Sequence, residues 1–390
     1  MAVYGFMHAA LLGSGEQIHL EQLETIRRTG LYDASEKISI GMLGRNHRAF
    51  ADHGKFEIAY RSRQVEEHEF PTLRMLHEAA SRMQPDDHVW YIHTKGANSY
   101  RPNSQPGPLG WRRFMEYYVL QHWRFLRGAL WGHDCAGVQL RPEPWPHFSG
   151  NFWWARASYL RTLPVPMLTR SRTEAEEWLG LMGPRFYTAL RWCIPDLYAV
   201  MPDPGLYSFY EPIRDRLTAG GDAEEASVES RAYLAMFLNS REAGWPRVLE
   251  IGLSDNGGVA AALSDAMELG ALYGVLTHGA AGPALQERLG RSCFSDVRLA
   301  GCRDDVPTAP FLAGWTDPFD LAIIAHPAPP DVLVRTAAAA AVRLRQGGLL
   351  AVSIRQDDDA TAAALCGISA MTPLWRLPSP FGWAVLSKSA

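Results

Sequence analysis

The chain has 390 residues, 47% hydrophobic and 21% charged, a balance that suits a soluble globular protein too long for one ordinary core, so two domains are expected. A formal net charge of −4 and a pI near 6.4 exclude a globally basic nucleic-acid or polyanion binder and leave only local basic pockets. Cys135, Cys193, Cys293, Cys302 and Cys366 are far apart with no CxxC pair, which argues against a disulfide framework or a structural zinc site. The opening MAVYGFMHAALLGSGEQ has no basic leader, and no stretch approaches roughly 18 apolar residues. A signal peptide and a membrane span are therefore not expected, and the cytoplasm is the expected compartment.

In chain order, Val3 to His8 reads as a strand and Ile18 to Thr29 as a helix stopped by Gly30. Strands follow at Lys37 to Leu43 and Phe56 to Arg61, then a helix at Phe70 to Met83 and a strand at His88 to His93. Gly110 to Leu130 reads as a long aromatic helix, with strands after it at Gly137 to Leu140 and Phe148 to Ala155. The polar, glycine-containing stretch Arg214 to Ser230 reads as a linker entering a helix around Glu225 to Ser240. Domains are accordingly expected at 1–213 and 225–390, with 214–224 between them. Tryptophan is concentrated before that boundary, whereas Ala, Gly, Val and Leu dominate after it.

The second part opens with a buried strand, Arg247 to Leu253, and a glycine loop, SDNGGVAAALSDAMELG, that begins a helix. ALYGVLT, VRLAG, FDLAIIA and GGLLAVSI read as further strands, and PLWRLPSPFGWAVLSKS as a hairpin turned at Ser379 to Gly382. The alanine run Ala337 to Ala341 suits a helix interior. Both parts are thus α/β, the second a Rossmann-like sheet with a terminal antiparallel hairpin.

Three constellations carry candidate chemistry. At the end of the His88 to His93 strand stand His93, Thr94, Lys95 and Gly96, where open α/β sheets bind ligands. In an extended strand Tyr91, His93 and Lys95 share one face, so imidazole and ammonium converge on one anion while Gly96 admits a close backbone approach. Arg101, Arg112 and Arg113 follow nearby. Taken alone, the tetrapeptide is also what a solvated strand end looks like. In HFSGNFWWARASYL, alternation puts His147, Ser149, Asn151 and Trp153 on one face, a polar and aromatic wall of the kind a sugar needs; a core strand is the competing reading. In RSRTEAEEWLGLM, Thr173 is placed to cap a helix whose first turn holds Glu174, Glu176 and Glu177. The macrodipole accounts for these acids, and Glu176 is also a candidate general base.

Together, LEQLETIRRTGLYDASEKISIGMLG, YIHTKG, WRRFMEYYVLQHW, HFSGNFWWARASYL and AEEWL resemble bacterial glycosyltransferase-like proteins of GT-A type, related to those of polysaccharide and rhamnan assembly, over about residues 3 to 212. The resemblance implies a GT-A, Rossmann-like domain that moves a sugar from a nucleotide-sugar donor to a glycan or small-molecule acceptor. It implies that His93 and Lys95 hold the diphosphate, that Thr94, Gly96, Arg112, His147, Ser149, Gly150, Asn151 and Trp153 bind donor or acceptor, and that Glu176 takes the acceptor proton. Where many such enzymes carry a metal-binding Asp-x-Asp, this chain has His93-Thr94-Lys95, so binding of the donor without a metal is expected, Lys95 supplying the charge; Asp86 and Asp87 lie upstream of the strand.

The second part resembles class I S-adenosylmethionine-dependent methyltransferases over about residues 225 to 390. VLEIGLSDNGGVAAAL stands for their first motif, with Glu250, Gly252, Ser254 and Gly257 in the pattern and Ser254 replacing a usual glycine. Thr277 and His278, Cys302 and His326 stand where acids commonly contact the cofactor. Methylation of the same glycan, a degenerate domain used for packing, homodimerisation or acceptor binding, and a site for some other nucleotide ligand are the readings for this part; another, for the whole chain, is a non-catalytic carbohydrate-binding or scaffold protein.

Overall fold

The computed structural model describes residues 1–45, 50–97, 107–168, 171–190, 197, 203–219, 225–241, 245–252, 269–278, 296–302, 318–325, 328–355, 358–377 and 382–389. The chain divides into two compact units, Met1–Ser208 and Phe209–Ala390.

In the first unit, β1 (Val3–Ala10), α1 (Gly15–Arg28), α2 (Leu31–Ala34), β2 (Lys37–Leu43), β3 (Phe56–Ser62), α3 (Phe70–Ala80) and β4 (His88–His93) alternate as the periodicities predict. There follow α4 (Gly107–Glu116), α5 (Trp123–Ala129), β5 (Cys135–Gly137), β6 (Leu140–Arg141), β7 (His147–Phe148), β8 (Trp153–Arg156), α6 (Ala157–Leu160), α7 (Thr173–Glu177) and β9 (Phe186–Thr188). Seven strands form one sheet in the order β3-β2-β1-β4-β8-β5-β9, with β8 antiparallel to β4 and β5; β6 and β7 pair separately. Chain order reverses between β1 and β4, so the carboxyl ends of these two parallel strands flank a topological switch point.

Every residue of β4 is buried, as expected of a parallel strand covered on both faces. On one face Trp90 occupies space opened by its register partner Gly5, where an added Cβ would lie 2.2 Å from the indole. On the other, Tyr91 stacks on Trp153 with ring centroids 5.2 Å apart. The next residue, Trp154, points the opposite way, stacking on Trp123 at 6.1 Å and donating its indole N–H to the Val119 carbonyl at 3.1 Å. Fully burying such a ring contributes at most about 5 kcal/mol, so these aromatics lock β4 and β8 together.

Two expected elements are broken. The aromatic helix is interrupted by a π turn, Tyr117–Gln121, after which the His122 N–H bonds the Tyr117 carbonyl at 2.9 Å. The strand expected over Phe148 to Ala155 is two strands, because Gly150 (φ 93°) and Asn151 (φ 58°) turn the chain between β7 and β8. Alternation therefore does not hold across the motif. Likewise Gln139 at φ 55° separates β5 from β6 inside the strand expected at Gly137 to Leu140.

In the second unit, α8 (Tyr210–Ala219) covers the first half of the expected linker, and residues 220–224 lie outside the described residues. Then come α9 (Glu225–Asn239), β10 (Trp245–Ile251), β11 (Leu269–His278), β12 (Asp296–Cys302), β13 (Phe319–Ile324), α10 (Pro330–Val342), β14 (Leu344–Ile354), α11 (Asp359–Cys366), β15 (Met371–Leu377) and β16 (Gly382–Lys388). The sheet order is β12-β11-β10-β13-β14-β16-β15, parallel from β12 through β14, with β16 antiparallel to both β14 and β15. This is a Rossmann-like sheet closed by an antiparallel hairpin; the hairpin's turn, 378–381, lies outside the described residues.

Candidate functional site

A cleft of about 950 Å³, its open mouth included, lies at the switch point of the first unit. Its floor comes from the end of β1 (His8, Ala10, Leu12) and the end of β4 (His93 to Ala97); Glu66, His68 and Glu69 before α3 and Arg172 before α7 close the sides. Polar groups at the carboxyl ends of parallel strands around such a crevice make it a candidate ligand site.

The expected convergence of Tyr91, His93 and Lys95 occurs in part. Tyr91 and His93 share a face and meet on one anion, but that anion is the chain's own Glu69: the Tyr91 hydroxyl donates to Oε2 at 2.8 Å, and His93 Nδ1 lies 3.8 Å from Oε1. The strand ends at His93, so Lys95 turns away in the following loop. Its Nζ stands 3.6 Å from Glu176 Oε1 and 3.9 Å from the centroid of the Trp111 ring. Ion pair and cation–π contact together compensate an ammonium that is only 3% exposed.

His93 is not a cation that could grip a diphosphate. Burial first, and then the neighbouring Lys95 charge, push its pKa down to about 3. Its Nε2 is 2.8 Å from the Gly150 carbonyl, which can only accept, so the ring proton sits on Nε2 and Nδ1 presents a lone pair. His8, pushed by burial to about 4, is likewise neutral, with Nδ1 3.0 Å from the Thr72 hydroxyl. Thr94 ties the two strand ends, its hydroxyl oxygen accepting from the Ala10 N–H at 2.9 Å. Gly96 turns the chain at φ 87° and lines the cleft.

Glu176 does not stand as a free base. One carboxylate oxygen accepts the Gly150 N–H at 3.0 Å and the other faces Lys95. Burial alone would raise its pKa, but Lys95, the Gly150 N–H, His93 and Arg172 together hold it below the ordinary value. Thr173, expected as the helix cap, is the first helical residue; its hydroxyl pairs with Ser171 at 2.8 Å, and Arg172 occupies the cap position.

The remaining expected residues serve other ends. Arg112 bonds Glu21 at 2.9 Å and lies 3.9 Å from Glu116, outside the cleft wall. His147 is 2.7 Å from the Trp145 carbonyl through Nδ1, and Ser149 is buried in the turn after β7. Gly150 binds His93 through its carbonyl and Glu176 through its N–H, and an added Cβ there would lie 2.4 Å from Met115 Sδ. Asn151 donates to Glu69 Oε2 at 2.7 Å and accepts the Trp153 indole N–H at 2.7 Å. HFSGNFWW is therefore the buried support of Glu69 and His93 rather than an exposed sugar-binding wall.

Glu69 was not among the expected residues. It precedes the first residue of α3 without a side-chain cap bond, is 4% exposed, lines the cleft and has its pKa raised, chiefly by burial. Its only trace in the sequence is an acid just before a Phe-Pro helix start, which the macrodipole accounts for equally well.

Among the described residues no group of three His, Cys, Asp or Glu is arranged to bind a metal. Asp87 accepts the N–H groups of Ala2 and Gln84 at 2.8 Å each at the opposite end of β4, and Asp86 pairs with Arg156.

In the second unit Glu250 is fully buried near the end of β10, and Gly252 has φ 87°. Ser254, Gly257 and His326 lie outside the described residues, as do the side chains of Thr277, His278 and Cys302. Among the described residues no helix is long and apolar enough to cross a membrane.

Residues 10–190 match a family described as a domain of unknown function, DUF8361. No curated protein matches the chain. Similar solved structures include the CurJ carbon methyltransferase (13% identity, 50% of this chain and 63% of that one, TM-score 0.35). Others are NSun6 from Pyrococcus horikoshii (15%, 37% and 49%, 0.30) and the O-methyltransferase TomG from Streptomyces achromogenes in complex with SAM (18%, 46% and 90%, 0.34). The chain spans less than two thirds of the first two. At these scores the Rossmann-like assignment of the second unit rests on its own sheet order.

Proposed function

We propose that the first unit is a glycosyltransferase of GT-A type that moves a sugar from a nucleotide-sugar donor to a hydroxyl of a glycan or small-molecule acceptor. The observation that carries this reading is the cleft at the β1/β4 switch point, walled by buried polar groups: His8, Glu69, His93, Thr94 and Lys95. A mostly parallel sheet with a crevice at that point is a nucleotide-binding architecture, and the sequence resemblance runs over the same unit.

In this reading the donor diphosphate lies at the end of β4, drawn by Lys95 and Arg172, with Gly96 admitting the phosphates close to the backbone. Glu176 pairs with the Lys95 ammonium at the cleft wall and is a positioning residue. Donor binding does not need a divalent cation. The test is turnover of a panel of nucleotide sugars, with and without an acceptor, in the presence of EDTA. Turnover with EDTA present is the expected outcome; activity abolished by EDTA and restored by manganese would overturn the role given to Lys95.

A second reading adds methyltransferase-type ligand binding by the second unit. It is favoured by the switch point between β10 and β13 and by the positive φ of Gly252 directly after β10. Calorimetry with S-adenosylhomocysteine tests it: heat of binding at micromolar ligand supports the reading, and none at millimolar ligand leaves that unit a packing or acceptor-binding domain.

A further inference from the structure

The Glu69–His93 pair is a constellation of the cleft with proton-acceptor capacity left over. Both accepted bonds of the carboxylate, from Tyr91 and Asn151, fall on Oε2. Oε1 faces His93 Nδ1 across 3.8 Å, and that nitrogen carries only a lone pair because the ring proton is committed to the Gly150 carbonyl. Two acceptors facing each other inside a buried wall are unfavourable unless a hydrogen lies between them. A hydroxyl brought to this gap supplies it.

We propose that Glu69 is the catalytic base of the first unit, removing the proton of the acceptor hydroxyl through Oε1, with His93 as the positioning residue beside it. The inference rests on the glycosyltransferase reading. The acceptor O–H proton passes to Glu69 Oε1, and the acceptor oxygen bonds to the anomeric carbon. The bond from that carbon to the diphosphate oxygen breaks, its electron pair leaving with the nucleoside diphosphate, and Glu69 returns its proton to solvent. The rest of the pair's surroundings agree with this role. Tyr91 and Asn151 fix the carboxylate from β4 and from the turn before β8, and Trp153 fixes Asn151 in turn. The charged and titratable groups facing the pair among the described residues are His8, Glu66, His68, Lys95, Arg172 and Glu176. Burial in this company keeps Glu69 readier to hold a proton than an ordinary glutamate, whereas Glu176 is held the other way.

The test compares Glu69→Gln with the wild-type chain. A glutamine carbonyl still accepts from Tyr91 and Asn151, and its amide can donate to His93 Nδ1, so the variant keeps its fold but accepts no proton. With an acceptor present, kcat should fall about 10²- to 10⁴-fold while the donor KM stays within about threefold, and the acidic limb of the pH–rate profile should vanish. Full kcat with an unchanged pH profile in Glu69→Gln would overturn the role of Glu69 and leave the glycosyltransferase reading standing. A wild-type chain that turns over no nucleotide sugar would overturn that reading and the inference with it. Carbon-13 titration of the ligand-free protein, with Glu116→Gln as the assignment control, separates the two: the Glu69 carboxyl, titrating above the ordinary range, should be present in the wild type and missing in Glu69→Gln, where only that of Glu116 remains. Absence of the Glu69 titration from the wild type would count against Glu69 whatever the donor.

Discussion

The two units finish a central strand in different ways. In the first, β4 ends at His93 and is followed by Thr94 and Lys95, all buried, each facing a named partner and together lining an open cleft. In the second, β10 brings one buried carboxylate, Glu250, to its end, followed by a glycine in the left-handed region. The sheets are alike in kind, mostly parallel with a switch point beside the central strand. The chemistry is not, and it depends on what other segments bring to the strand end. Glu69, Glu176 and Arg172 come from outside the sheet and turn an ordinary polar strand end into a charged cleft. Fold supplies a place for a site; side chains from elsewhere supply the site.

That contrast can be broken by substitution, beginning with the largest expected effect. Lys95→Met leaves Glu176 buried without its cation and should lower the stability of the first unit by about 4 kcal/mol. Denaturant unfolding with hydrogen exchange read separately over each unit measures it, and an equal loss in both units would contradict the local role of the pair.

Acidification should also act on the first unit before the second. His8 and His19 are held at about 4 and His93 at about 3, all chiefly by burial, against 6.5 for an ordinary histidine. Below about pH 6.5 the unfolded chain takes up protons that the folded unit refuses, so stability is complete above that pH and falls towards pH 4. Glu69 and Glu116, raised by burial, work in the opposite sense above about pH 4.5 and offset part of the loss. With His88 lowered too, chiefly by burial, four histidines against two glutamates leave about two protons, a net expectation of about 3 kcal/mol per pH unit. In the second unit the buried polar side chains among the described residues are Ser230, Glu250, Asp320 and Thr361, a set without a histidine. Exchange that rises first in the second unit on going from pH 7 to 5 would refute the assignment.

Smaller effects sharpen the comparison. Gly150→Ala forces a side chain into a positive-φ turn and against Met115, and should cost about 2 kcal/mol together with loss of donor turnover, since both His93 and Glu176 bond that residue. Gly252→Ala puts a side chain on a residue in the left-handed region and should lower the second unit's stability by about 1 kcal/mol, measured as a shift in its unfolding midpoint, while leaving nucleotide-sugar turnover unchanged.

Much of the frame was legible in the sequence. Apolar runs of strand length between helical periodicities give β1, β2, β3, β4 and their counterparts in the second unit, because parallel strands must be apolar on both faces. The breaks were not legible. A positive φ at Asn151 and a π turn at Tyr117–Gln121 depend on tertiary contacts, and alternation alone cannot register them. The motif His93 to Gly96, expected to meet an anion, lines a cleft, but the neutral state of His93 was not legible, since its desolvation follows from packing by distant segments. Glu69 escaped notice because an acid at a helix start is explained locally, and its partners Tyr91 and Asn151 lie 22 and 82 residues away. Arg112 was drawn into the site by proximity in sequence, but the helix turns it towards Glu21.

The claim on which the rest depends is that the β1/β4 cleft takes the nucleotide part of a sugar donor. Hydrogen exchange of the full chain, with EDTA present, against uridine, guanosine and thymidine diphosphates tests it directly. Protection by at least one of them at residues 8–12 and 93–97, lost in Lys95→Met, is the predicted result. Protection confined to the second unit, or unchanged in Lys95→Met, would contradict it.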